Sequence, residues 1–397
     1  MPTDVNKGVA PSSKPKFWND PDKRAMLFQV LMILAIVGFF YYVINNALTN
    51  LDNRGITTGF GFLSQAAGFD ILLTLVPFDS SYSFGRTFIV GLLNTLLVSF
   101  LGIILATLLG FVMGVARLSH NWLVAKVAAV YIETFRNIPL LLQIFFWYVA
   151  VLQTLPSPRQ SIELGAGSFL NIRGLYIPSP VFESGFSAVV IALVATIIGI
   201  VFLVRWNHKR QDATGKYFPV GWASLALLIV VPGLVFLLAG SPLSWDYPEL
   251  RGFNFRGGTT IIPELIALLL ALTIYTGTFI AETVRAGILA VSHGQTEAAH
   301  ALGLSNSRTL RLVVIPQAMR VIIPPLTSQH LNLIKNSSLA TAIGYPDLVS
   351  VFMGTTLNQT GQAIEIIFMT MAVYLTINLL VSLFMNWYNK RVALVER

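Results

Sequence analysis

The chain has 397 residues, of which 11% are charged and 55% hydrophobic, with a mean hydropathy of +0.70. Soluble proteins carry about 25% charged residues to cover their surface, so a soluble fold is excluded. The absence of cysteine and the long apolar runs also exclude disulfide-stapled, collagen-like and disordered classes. The net charge of +8 points to nucleic acid only if the basic residues do not sort with membrane topology.

Residues 1–25 are polar and rich in Pro, Ser and Lys, the composition of a disordered tail. An apolar run over 25–48 follows, long enough to cross about 30 Å of hydrocarbon as a helix. The segment 49–85 carries Gly59, Phe60, Gly61 and Phe62 and is expected to lie partly along the membrane surface. Further spans are expected over 87–116, 122–155, 186–204, 218–239, 260–284, 310–333 and 363–387. Apolar runs of this length satisfy their backbone only as helices. Pro139 is expected to break the third span. Pro156, Pro158, Pro178 and Pro180 predict an extended connection over 156–185. Pro316, Pro324 and Pro325 predict a broken seventh span.

Eight spans place both termini on one side. With the termini inside, the inner segments hold 17 basic residues and the outer segments 6, a positive-inside distribution. Topology therefore accounts for the charge, and no nucleic-acid partner is expected.

The inner segment after the sixth span is distinct. Within it, residues 295–302 are Ala-rich and favour a helix. Glu297 suits its first turn, and Gly303 stands where the helix should stop. Ala298, Ala301 and Leu302 share one face. Small side chains there permit close approach of another surface, although an ordinary connector would read the same way.

The spacing Glu297-Ala298-Ala299, three residues, Gly303, nine residues, Val313-Val314-Ile315-Pro316 resembles the signature of binding-protein-dependent ABC importer permeases. Ala281-Glu282, Arg285, Gly287, Gly294-Gln295, Gln317-Ala318, Arg320 and Lys335-Asn336-Ser337-Ser338-Leu339 are similar to their polar amino-acid subfamily. So is Tyr131, Glu133, Arg136-Asn137, Pro139 and Gln143. The resemblance is closest to the general L-amino-acid permeases, or those for glutamate, glutamine, aspartate and asparagine, of Gram-negative bacteria. It implies an all-α, polytopic type I ABC importer permease fold with about eight transmembrane helices, three more than the family core.

The implied organisation is a cytoplasmic tail over 1–25, an extra helix and periplasmic segment over 26–86, the permease domain over 87–388 and a tail over 389–397. The permease domain would carry an inserted helix pair near 186–239 and a coupling helix near 294–304. The resemblance assigns Gly294, Gln295, Glu297, Ala298, Ala299, Ala301, Gly303 and Leu304 to coupling with an ATPase. It implies two copies of that ATPase subunit, a related second permease (a heterodimer rather than a homodimer) and a periplasmic amino-acid-binding protein. The cargo would be L-amino acids, and the site of action the bacterial inner membrane. The chain has no phosphate-binding loop, since Gly215-Lys216 is followed by Tyr217. No cofactor is expected here; ATP and Mg belong to the partner ATPase.

Polar groups within spans are functional candidates because they are costly there. Glu133, Arg136, Asn137 and Gln143 form one set. Glu133 and Arg136 are spaced to pair, either as a clamp between helices or as substrate contacts. Gln329, Asn332, Lys335, Asn336, Ser337 and Ser338 form the other set, joined by His330. They could line a path for a zwitterion without a permanent buried charge, or belong to an interfacial loop. Glu282 and Arg285 repeat the pairing spacing and would position the coupling loop. Asp347 and Glu365 are expected at solvent or the interface. His120, His208, His293, His300 and His330 lack metal-ligand spacing, and no catalytic or metal residues are expected. An ion-driven carrier, a membrane enzyme and an assembly scaffold are the rival readings. The first leaves the coupling spacing unexplained, and the second lacks a catalytic motif.

Overall fold

The computed structural model describes residues 18, 20–53, 55, 58–216 and 218–392. Most of the expected N-terminal tail, with Lys7, Lys14 and Lys16, lies outside the described residues, as do Arg54 and residues 393–397. The first helix, α1 (Pro21–Asn53), begins inside the stretch whose composition predicts a tail. Pro at the first helical position and Asp22 in the first turn suit a helix N-terminus. None of its side chains is buried, as befits a helix whose apolar surface meets lipid on all sides.

The next span is α2 (Phe84–Ala116). A short connection leads to α3 (Trp122–Asn137), whose N-cap Asn121 accepts the amide hydrogens of Leu123 and Val124. The helix ends where Ile138, ahead of Pro139, is held extended. The chain resumes as α4 (Leu140–Phe145), continues π-helical over Phe146–Val151 and ends as a 3-10 turn, Leu152–Thr154. The two halves meet at 105°. The third span is therefore a bent pair, and counting it once gives eight apolar spans among the described residues.

Two segments, the one expected to be extended over 156–185 and the one that follows residue 239, contain short antiparallel strands. The first holds β1 (Ile162–Gly165), β2 (Ser168–Asn171), β3 (Gly174–Ile177) and β4 (Ser179–Phe182). A helical hairpin, α5 (Phe186–Thr214) and α6 (Val220–Leu238), then leaves and returns. The second segment holds β5 (Leu243–Asp246), β6 (Glu249–Arg251), β7 (Asn254–Arg256) and β8 (Thr259–Ile261). One sheet runs β1-β2-β3-β8, and two-stranded ribbons pair β4 with β5 and β6 with β7. Tyr176 pairs with Thr260 and Val181 with Ser244, so the strands clasp the base of the hairpin. The helical class holds, with this β platform as an addition that strands of three or four residues do not announce.

The core is built on α7 (Pro263–Leu289). Its Leu268, Leu272, Ile280 and Val284 are fully buried, packed with Val98 and Ala106 of α2. Next come α8 (His293–Ala301), α9 (Asn306–Thr309), a π-helical stretch Leu310–Val314, and α10 (Ile315–Asn336), which adds Ile322, Leu326 and Leu333 to that core. The chain ends with a 3-10 segment Ser337–Ile343, a π-helical segment Val349–Thr356, α11 (Leu357–Thr360) and α12 (Ala363–Val392).

α2 reaches α7 closely because Gly102, Ala106, Gly110 and Gly114 recur every fourth residue on its buried face, the small-residue pattern of packed membrane helices. A Cβ on Gly110 would lie 2.5 Å from the Ile280 Cβ, and one on Gly114 would lie 2.6 Å from the Ala281 carbonyl oxygen. Overpacking a core costs about 1–3 kcal/mol. Gly110→Val should therefore lower the thermal midpoint of the detergent-extracted protein, read by fluorescence-detected gel filtration. Gly233→Val in α6, where no atom lies within 4 Å of the added Cβ, should leave it unchanged.

Three expectations need correction. Pro324 and Pro325 do not break α10, which runs unbroken through both; the irregular turn instead precedes Pro316. Asp347 and Glu365 are buried. The Asp347 carboxylate accepts the Ser350 amide hydrogen at 2.8 Å, and Glu365 accepts that of Gly59. Phe62, in the segment expected along the membrane surface, is 2% exposed and packs against Phe84 and Phe352.

Candidate functional site

Two neighbouring features stand out: the short helix α8 at one end of α7, and a groove between α7 and α10. α8 begins at His293, two positions before the expected start, so Glu297 falls in its second turn and gains little from the helix dipole. The helix is tied to its own chain by Ala299, 3% exposed, and by the Gln317 amide, which donates to Gln295 Oε1 at 3.2 Å. Its end is a Schellman motif. The Gly303 amide donates to the His300 carbonyl at 2.9 Å and that of Leu304 to Ala299 at 3.1 Å. Gly303 has φ +77°, a conformation that glycine adopts freely.

This anchoring leaves Gly294, Gln295, Glu297, Ala298, Ala301 and Gly303 exposed. Leu302 is 82% exposed, while Leu304 is half-buried. Of the expected coupling set, Ala299 alone turns fully inward. The rest form a small-residue surface with one projecting leucine. Behind it, Arg285 clasps Glu282 through two donors, Nε to Oε2 at 3.0 Å and a terminal nitrogen to Oε1 at 2.6 Å, as the spacing predicts.

The groove consists of two adjoining cavities. One, of about 320 Å³, is lined by Tyr275, Thr276, Phe279, Gln329, Asn332 and Asn336. The other, of about 300 Å³, is lined by Arg136, Phe279, Glu282, Thr283, Val321, Pro325 and Gln329 among others. Phe279 and Gln329 belong to both, so the cavities adjoin, the second lying nearer the α8 end of α7. Pro324 and Pro325 have no N–H, which deprives the carbonyls of Arg320 and Val321 of their usual intrahelical partners beside this groove. Arg320 Nε is buried without a hydrogen-bond partner among the described residues.

The expected path residues divide. Gln329, Asn332, Asn336 and Arg136 line the groove. Lys335 and Ser338 line a separate cavity of about 340 Å³ with Tyr374 and Asn378 of α12. Ser337 is fully buried and donates to the Ile334 carbonyl. His330 meets Thr107 at 2.9 Å. Glu133 and Arg136 do not pair. Glu133 meets Arg117 at 3.2 Å, and Arg136 lies 5.3 Å over the Phe279 ring. The Tyr131 hydroxyl donates to the Ile274 carbonyl at 2.8 Å and ties α3 to α7, while the two side chains turn to different neighbours. Asn137 donates to the Glu133 carbonyl. Tyr275, Thr276, Phe279 and Thr283 were not expected; the polar residues recurring along α7 are the signal that marks them.

Gln143 serves the bend. It is buried, and its amide nitrogen donates to the carbonyls of Phe135 at 2.8 Å and Ile138 at 3.0 Å, two acceptors that the break at Pro139 leaves open. Gln143→Leu should destabilise the protein by about 1–3 kcal/mol, seen as a lower thermal midpoint. Glu133→Gln should change it little, because exposed ion pairs are worth about 0–1 kcal/mol.

A family model described as binding-protein-dependent transport system inner membrane component matches residues 215–394. A putative amino-acid ABC transporter permease protein, YhdX of Escherichia coli, is 58% identical over 378 residues, 95% of this chain and 96% of that protein. The general L-amino acid transport system permease protein AapQ of Rhizobium johnstonii is 53% identical over 95% of this chain and 94% of its own length. The glutamate/glutamine/aspartate/asparagine transport system permease protein BztB of Rhodobacter capsulatus is 43% identical over 94% of this chain and 95% of its own length. With likeness of this degree along nearly its whole length, and with its apolar spans, this chain belongs to the family of binding-protein-dependent transport system inner membrane components.

Proposed function

We propose that this chain is one permease half of an ATP-driven importer of polar L-amino acids in the bacterial inner membrane, with both termini cytoplasmic. The observation that carries the reading is α8, held from behind by Ala299 and Gln295 while its small-residue face stays open. A partner ATPase, two copies per transporter, would dock there, with ATP and Mg bound on that partner. Nucleotide-driven closure would pass through the Glu282–Arg285 clasp to α7 and α10, which wall the groove. The distribution of basic residues supports the orientation. A groove walled on one side fits a second, related permease completing the path. A periplasmic binding protein would deliver the amino acid to the strand-bearing end. The substrate class is supported by the names of the relatives and by the amide, hydroxyl and aromatic groups lining the groove.

The test is purification of the tagged chain from native membranes, with identification of what accompanies it and uptake assays in proteoliposomes. A phosphate-loop ATPase and a second permease, with ATP-dependent amino-acid uptake, are expected. A chain that purifies alone, intact and driven by an ion gradient, would overturn the reading.

A further inference from the structure

At the end of α7 opposite α8, the β platform and the helical core border an open cavity of about 540 Å³. The platform contributes Ile172, Arg173, Tyr176 and Asn254; the core contributes Tyr148 and Glu264. The size is that of a small-molecule pocket. Its two charges have opposite sign but do not pair: among the described residues no carboxylate lies within ion-pair distance of the Arg173 guanidinium, and none of the four ion pairs found includes Glu264.

The Glu264 carboxylate is held in place, and the backbone that carries Arg173 is fixed. The Tyr148 hydroxyl donates to Glu264 Oε1 at 2.9 Å, and Glu264 sits in the first turn of α7, where the helix dipole favours a carboxylate. Arg173 stands on the β2–β3 turn, its amide donating to Asn171 Oδ1 at 2.8 Å. Asn171 is itself fully buried. Tyr176 donates to Asn254 Oδ1 at 2.9 Å, and burial pushes its phenol above the usual range, which keeps it a donor. Two opposite charges that do not pair with each other, on the wall of one pocket, complement a ligand that carries both signs.

We propose that this cavity is a reception site for a free α-amino acid, with Arg173 binding the carboxylate and Glu264 the ammonium. The proposal rests on the amino-acid importer reading and adds to it a second site, outside the α7–α10 groove. Arg supplies paired donors that match a carboxylate. Glu264 Oε2 remains free of Tyr148 for the ammonium. Ile172 and the neighbouring apolar wall would receive side chains with little discrimination.

The chain lacks cysteine, so Ile172→Cys gives it one reporter thiol. In the intact transporter in nanodiscs, the rate of maleimide labelling is measured with and without L-glutamine, and uptake by the same variant is measured in proteoliposomes. At ten times its dissociation constant the ligand should slow labelling about tenfold, by mass action. Arg173→Gln and Glu264→Gln, each in that background, should abolish the protection, while Arg173→Lys should restore part of it. N-acetylglutamine, which lacks the ammonium, should not protect. Labelling unaffected by glutamine while uptake continues would overturn the reception site and leave the importer reading standing. Protection that survives both charge-removing variants would also overturn it. Absence of both uptake and protection would overturn the importer reading and the site together.

Discussion

Gly303→Asp is expected to leave the transporter assembled but to cut uptake about thirtyfold or more, the loss that follows when about 2 kcal/mol disappears from the centre of an interface. No atom lies within 4 Å of a Cβ built on Gly303, so the side chain has room. The positive φ of 77° costs Asp about 1 kcal/mol, since Asn and Asp visit that conformation more readily than other residues. The fold of α8 should therefore survive. What changes is charge. A carboxylate would stand at the C-terminal end of α8, where the dipole disfavours it, beside the exposed Ala301 and Leu302. A docking partner would have to desolvate it without a counterion. Gly303→Asn is the control: it has the same shape and backbone tolerance but no charge, and should transport nearly as well as the parent. ATP hydrolysis should persist in the Asp variant but no longer respond to substrate. Equal uptake by the Asp and Asn variants, in complexes of equal composition, would remove the docking role from α8.

The short helix α8 was legible because its information is local. An Ala-rich stretch and a glycine at a left-handed stop specify a short helix without help from the rest of the chain, and the structure adds the Schellman bonds of Gly303 and Leu304. The eight spans were legible for a similar reason, since length and hydropathy suffice. Pairing and burial were not. Glu133 and Arg136 have the spacing of a helix pair, but each finds a partner outside α3: Glu133 meets Arg117, and Arg136 lies over the Phe279 ring. The strands are too short, at three or four residues, to show a period, and β3 finds its partner β8 only across the whole α5–α6 insertion. Asp347 looked interfacial because its acceptors are filled by Ser350, Tyr374 and Thr341, none of which announces itself as a partner. In α10 the prolines matter less as breaks than as missing donors, since the helix continues through them.

Gln329→Leu should produce the second large effect, because Gln329 lies where the two cavities of the groove meet. Leucine has nearly the same volume and suits a membrane helix, so α10 should fold normally. The groove would lose, where its two cavities adjoin, the amide that can serve a substrate as donor and as acceptor. A polar ligand whose hydrogen bond goes unmet loses about 1–3 kcal/mol, roughly a tenfold to hundredfold effect. Uptake of glutamine should fall by that factor, while that of an apolar amino acid such as leucine, if carried at all, should fall much less. ATPase assembly should be unaffected, because Gln329 is remote in sequence and structure from the exposed face of α8. The selectivity between polar and apolar substrates is the informative quantity. An equal loss for both would indicate a distorted helix, and no loss for either would place the path elsewhere, with the Lys335 and Ser338 cavity against α12 as the next candidate.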